Sequence, residues 1–94
     1  MNYAAEHLLI VLSEEAAEVI HASSKALQFG ILHPWPGKGE SNLRVLERKL
    51  ADLMAVADLL GLIVRPEDKA AKVEKLKKYM DLSSQIGTLE SNKS

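Results

Sequence analysis

At 94 residues, with 47% apolar and 27% charged side chains, the chain has the composition of one small folded domain rather than a disordered segment. A net charge of −1 excludes nucleic-acid binding driven by bulk positive charge, and the absence of cysteine excludes a disulfide scaffold and a thiolate metal site. The longest unbroken apolar run, Leu8–Leu12, is far too short for a bilayer span, and no signal peptide is visible, so a cytoplasmic protein without membrane contact is expected.

With one Phe, one Trp and two Tyr, the core must be built from aliphatic side chains, which suits helices. The first helix is predicted over about 2–29: Leu8, Leu12, Ala16, Val19, Ile20 and Leu27 recur at spacings of three and four, with no internal Gly or Pro. Gly30 is a natural stop. Residues 30–41 hold two Pro and three Gly and are expected to form the one substantial loop, with Ser41 or Asn42 capping the next helix. That second helix is expected over about 42–61, with Leu43, Leu46, Leu50, Leu53, Met54, Ala57 and Leu60 as its apolar stripe and Gly61 as its break. Pro66 opens a third helix, to about 87, with Glu67 and Asp68 in its first turn and a narrow stripe of Val73, Leu76 and Met80. Its lysines, Lys72, Lys75, Lys77 and Lys78, read as a solvated face, and the tail 90–94 as frayed. The fold class is all-α, a bundle of three to four helices in a single domain, and so small a core favours a second copy as partner.

The segment Glu14-Glu15-Ala16-Ala17-Glu18 carries the first chemical signal. On a helix, positions 14 and 18 lie about 40° apart and positions 15 and 18 about 60° apart, so three like charges crowd one side. Two readings stay open: a solvent-facing stripe of an amphipathic helix, or, set within an apolar stretch, a group of hard oxygen donors that suits Mg²⁺ or Mn²⁺. Lys25 follows Glu18 about 20° away in projection and roughly 10 Å along the axis, a spacing that matches a metal and an ammonium to the two ends of a polyphosphate. On the second helix, Asp52 is the single charge in Leu50-Ala51-Asp52-Leu53-Met54-Ala55-Val56-Ala57. A carboxylate in that setting must meet a partner or a metal, unless that edge of the helix is wet.

Glu-Glu-x-x-Glu on one helix followed by Leu-Ala-Asp-Leu on the next resembles the MazG-like all-α nucleoside triphosphate pyrophosphohydrolases. The phrases running from Glu18 through Lys25-Ala26-Leu27-Gln28-Phe29 to Gly30, and from Ser41-Asn42 to Lys49-Leu50-Ala51-Asp52-Leu53, look most like the short members found in phages and bacteria. The likeness covers about residues 5–62. It implies a metal-dependent hydrolase that cleaves a nucleoside or deoxynucleoside triphosphate to the monophosphate and pyrophosphate, assembled as a homodimer or homotetramer. It also implies roles: Glu15, Glu18 and Asp52 as ligands of Mg²⁺ or Mn²⁺, Glu14 and Glu18 as catalytic carboxylates, and Lys25 on a phosphate. Candidate substrate contacts are completed by Lys49, by His21, which as a lone helix histidine can equally be structural or exposed, and by Trp35, whose ring between two prolines suits base stacking or pins the loop onto the helices.

One position departs from the pattern. The family's second motif is Glu-x-x-Asp, and this chain has Lys49-Leu50-Ala51-Asp52. Glu47 is no substitute, because it lies about 160° around the helix from position 49. Three readings stay open: a site with fewer metals in which Lys49 serves a phosphate; an ion pair of Lys49 with the Glu cluster that keeps metal out and leaves a degenerate nucleotide-binding or oligomerisation module; or an engineered substitution.

Overall fold

The computed structural model describes residues 2–33 and 39–85, of which 83–85 by backbone alone. Among them lie three α-helices and no strand: α1 (Tyr3–Phe29), α2 (Asn42–Leu59) and α3 (Pro66–Gln85). The all-α expectation therefore holds. The expected end of the third helix near residue 87 and the tail 90–94 lie outside the described residues.

Helix ends follow from local side-chain chemistry. Asn2 caps α1, its side-chain oxygen accepting from the Ala5 N–H at 2.7 Å. Of the two cap candidates for α2, Ser41 takes the role, its hydroxyl accepting from the Arg44 N–H at 3.1 Å. Gly30 ends α1 at φ 92°, a backbone that glycine adopts without strain, while its N–H still reaches the Ala26 carbonyl at 2.9 Å. Past α2, Gly61 at φ 78° closes a double cap. Its N–H meets the Asp58 carbonyl at 2.9 Å, and the Leu62 N–H meets the Ala57 carbonyl at 3.0 Å.

The chain divides into two compact units, Met1–Ile63 and Val64–Ser94. The first is an α-hairpin in which α2 runs back along α1. Asn42 ties its closed end. The Asn42 side chain is fully buried, and its Nδ2 donates to the Gly30 carbonyl at 2.7 Å, while its backbone N–H donates to the His33 carbonyl at 2.7 Å. Further along, Glu18 of α1 meets Lys49 of α2. The fully buried apolar side chains are few and small: Ala22 from α1, Val45 and Val56 from α2. On α1 the covered face also takes in Leu8, Val11, Glu15 and Val19; on α2 it takes in Lys49, Leu53 and Leu60. Each helix thus places one charged residue in the middle of its inward stripe.

Two expected stripes need correction. Ile20 and Leu27 of α1 are 70% and 88% exposed, and Leu50 and Met54 of α2 are 47% and 56% exposed. The apolar arc of each helix is wider than one partner covers, so only one of its edges enters the seam. The second unit is built on α3, where Pro66 occupies the first turn with Glu67 and Asp68 beside it. Its stripe of Val73, Leu76 and Met80 is exposed, as are Lys72, Lys75, Lys77 and Lys78.

Replacing Asn42 by Ala strips the Gly30 carbonyl of its donor inside the hairpin. Unfolding free energy is expected to fall by about 1–3 kcal/mol, read as a lower urea midpoint with the same slope. An unchanged midpoint would remove this tie from the determinants of the hairpin.

Candidate functional site

Helical geometry sorts the hairpin's two flanks. Counting about 100° per residue from the line through Leu8, Glu15 and Ala22, Glu18, Lys25 and Glu14 fall on one side at about 60–100°. Leu9, Ile20 and Leu27 fall on the other at about 120–140°. Counting likewise on α2 from the line through Asn42, Lys49 and Val56, Asp52 and Arg48 lie at about 60–100° in the same rotational sense as Glu18. Leu43, Leu50 and Met54 lie on the opposite side. In an antiparallel pair, equal rotational sense means the same flank. One flank therefore carries Glu14, Glu18, Lys25, Arg48 and Asp52, and the other is apolar. An open hollow of about 560 Å³ lies on the apolar flank, lined by Ile20, Ala26 and Leu27 of α1 with Ser23 and Ser24 between them, Ile31 beyond it and Leu46 of α2.

The charged flank holds the candidate chemistry. Lys49 Nζ stands 3.7 Å from Glu18 Oε2, the one described ion pair that joins α1 to α2. Its ammonium rises from the middle of the seam, with the Lys49 side chain 31% exposed and that of Glu18 49%. Glu15 is half-buried on the inward face, one turn from Glu18, whereas Glu14 and Asp52 are exposed. The Asp52 edge is thus wet, the alternative under which the sequence requires no partner for it. Lys25 does not reach along the helix toward Glu18. Its Nζ lies 5.5 Å from the centre of the Phe29 ring, one turn ahead, as a cation–π contact. His21 is exposed on α1. Trp35 lies outside the described residues. Glu47 turns away, as its position requires, and pairs with Arg44 at 3.8 Å on the exposed surface.

Carboxylates alone make up the donor set, which is the right chemistry for a hard divalent cation. The arrangement is not preassembled: among the described residues no three acids or histidines come together as a group that holds a metal ion. What stands against Glu18 is Lys49, so a cation at Glu18 must first move that ammonium.

Two residues of this flank escape the sequence reading. Arg48 binds Glu40 through NH1 to Oε2, as hydrogen bond and ion pair together. That hydrogen bond, then the Glu40 charge, and in smaller measure the Asp52 charge, raise the guanidinium pKa above its ordinary value. The signal available was the spacing of Arg48 and Asp52, four residues apart and so on one face. Glu40 belongs to the loop, and no periodicity points from it to Arg48.

Comparison with protein-family models, with curated proteins and with solved structures found no match.

A group whose pKa is raised on folding lends stability that is complete below its unfolded pKa and is lost only as pH rises through the folded value. For Arg48 that window lies above the usual working range. Arg48→Met is therefore expected to lower the melting temperature slightly and equally at pH 6 and pH 9, and the loss should shrink in molar salt, which screens a part-exposed pair. A loss that differs between the two pH values would assign the effect to another group.

Proposed function

We propose that the chain is a MazG-like nucleoside triphosphate pyrophosphohydrolase acting on the charged flank of the α1–α2 hairpin. The observation that supports this reading is the contact of Glu18 with Lys49, which sets the acidic turn of α1 against the turn of α2 that also carries Asp52. Glu15, Glu18 and Asp52 would hold Mg²⁺ or Mn²⁺, which when bound supplies charge neutralisation on phosphate oxygens and a more acidic water. The chain's own residues do the rest. Glu14, exposed at the edge of the acidic turn, orients the attacking water. Lys49, once off Glu18, places its ammonium on a phosphate, and Lys25, released from Phe29, receives the departing pyrophosphate. His21 and Trp35 are the remaining candidate contacts for the nucleoside. Little covalent work falls to the protein in such a reaction, where positioning and electrostatics dominate.

The same contact favours a second reading. With Lys49 seated on Glu18, the carboxylates are neutralised from within, and the hairpin serves as a catalytically silent nucleotide-binding or oligomerisation module. The deciding assay is pyrophosphate release from a panel of ribo- and deoxyribonucleoside triphosphates with Mg²⁺ or Mn²⁺. Under the enzyme reading, wild-type protein releases pyrophosphate, and Glu18→Gln lowers the rate at least about 100-fold, nearly 3 kcal/mol of barrier. Silence from wild type together with release from Lys49→Glu would establish the silent module and overturn the enzyme.

We also propose that the apolar flank pairs with a second copy, giving a homodimer or homotetramer. Leu43, Leu50 and Met54 of α2 and Ile20 and Leu27 of α1 form a stripe on a unit whose own core is small, and burying such a stripe is worth about 25 cal/mol per Å² of apolar surface. Light scattering during size-exclusion chromatography should give a multiple of 10.3 kDa for wild type and a smaller mass for Ile20→Lys/Leu50→Lys. A monomeric wild type would overturn the pairing. Among the described residues no helix is long and apolar enough to cross a membrane, and a net charge of −1 gives no support to a nucleic-acid partner.

A further inference from the structure

Charge is segregated around α3. Counting about 100° per residue from Leu76, Met80 and Val73 lie at about 40–60° and form with it the exposed apolar stripe. Lysines border that stripe on both sides, Lys77 at about 100° and Lys72 and Lys75 at about 40–100° in the other sense. The acids Glu67, Glu74 and Asp81 fall on the far side at about 140–180°, and Asp68 in the first turn is the exception. The apolar flank of the hairpin has the opposite border. On α2, beyond Leu43, Leu50 and Met54, Glu47 and Asp58 follow at about 160–180° from the Lys49 line. On α1, beyond Leu9, Ile20 and Leu27, Glu6 follows at about 180° from the Glu15 line. All three acids are exposed, and neither arc holds a lysine or arginine before its acids are reached. Glu47 has Arg44 behind it, at 3.8 Å. The units differ in the same sense: Met1–Ile63 carries eight acidic and five basic residues, and Val64–Ser94 carries five acidic and seven basic.

We propose that the α3 stripe of one copy docks on the apolar flank of the α1–α2 hairpin of a second copy, with the lysines that border α3 reaching the acids that border the flank. This rests on the reading of that flank as the surface that pairs with a second copy, and it names what the flank meets there. Two copies offer three pairings of these faces. Flank on flank sets acids beside acids, and α3 on α3 sets lysines beside lysines. Only α3 on flank brings opposite charges together at the borders, where complementarity favours one partner over the others. Lengths agree: Val73 to Met80 rises about 10 Å, within the roughly 16 Å from Leu43 to Met54. Lysine suits the border, because its stem extends the apolar cover while its ammonium stays at the wet edge. If each copy gives one α3 and receives one, the assembly closes as a two-fold dimer.

The test is sedimentation equilibrium of the full chain, with circular dichroism recording the helix content of each protein. Lys72→Glu/Lys77→Glu reverses both borders of α3, and Glu47→Lys/Asp58→Lys reverses the α2 border of the flank. Each double variant should associate about tenfold or more weakly than wild type, and the chain carrying all four substitutions should regain most of the loss. Lys78→Glu/Lys93→Glu has the same net charge as the first variant, with Lys78 on the far side of α3 at about 160°, and should associate as wild type does. Equal association of wild type and Lys72→Glu/Lys77→Glu would overturn the docking of α3 while leaving the flank as the pairing surface. An equal loss in Lys78→Glu/Lys93→Glu, or no recovery in the fourfold chain, would overturn it likewise. A wild type that stays monomeric would overturn both this docking and the pairing on which it rests.

Discussion

The pairing of α1 with α2 depends on what happens to charge in the middle of an otherwise aliphatic seam. Three small apolar side chains are fully buried there, so dispersion and hydrophobic burial supply only a modest adhesive. Into that seam α1 brings Glu15 and α2 brings Lys49. A charge at a covered position is costly unless it reaches water or a partner. Lys49 resolves this by reaching out of the seam to Glu18, and Glu15 by lying at a level where it is only half covered. In this register Glu18 stands level with Lys49, and the pair adds a modest electrostatic contribution to the steric fit. Asn42 at the closed end holds the same register from the other direction, through bonds to Gly30 and His33.

From this register the two flanks follow without further assumption. Once Glu15 and Lys49 face inward, the helical repeat sends Glu14, Glu18, Asp52 and Arg48 to one side and Ile20, Leu27, Leu50 and Met54 to the other. The small hairpin thus carries a polar face and an apolar face. The Arg48–Glu40 pair ties the residue just before the α2 cap to the charged flank.

Helix number, type and approximate ends were legible in the sequence because they depend on local signals: Ser41 as a cap, Gly30 and Gly61 as stops, Pro66 as a start. The inward faces were not. Both α1 and α2 are apolar around a broad arc, and hydrophobic periodicity alone does not say which edge of such an arc meets the partner. The expected stripes of Ile20 and Leu27, and of Leu43, Leu50 and Met54, followed the apolar residues. The structure instead turns Glu15 and Lys49 inward, because that orientation brings opposite charges within reach across the seam. The acidic turn was singled out from residue type and spacing and Lys49 from the resemblance, and the structure joins the two through Glu18. The tie of Arg48 to Glu40 was beyond reach, since its partner lies in a loop without a repeat.

The odd residue of the motif is thus also the residue around which the hairpin is organised. An acid at position 49 would set a second carboxylate on the inward stripes, facing Glu15 and with Glu18 at the edge, and like charges would repel across the seam. A lysine there closes the seam with the chain's own charge. The two solutions differ in what they demand of the surroundings: the first leaves the charge of the acidic turn to be met from outside, and the second meets part of it with an ammonium of the same hairpin, 3.7 Å from Glu18.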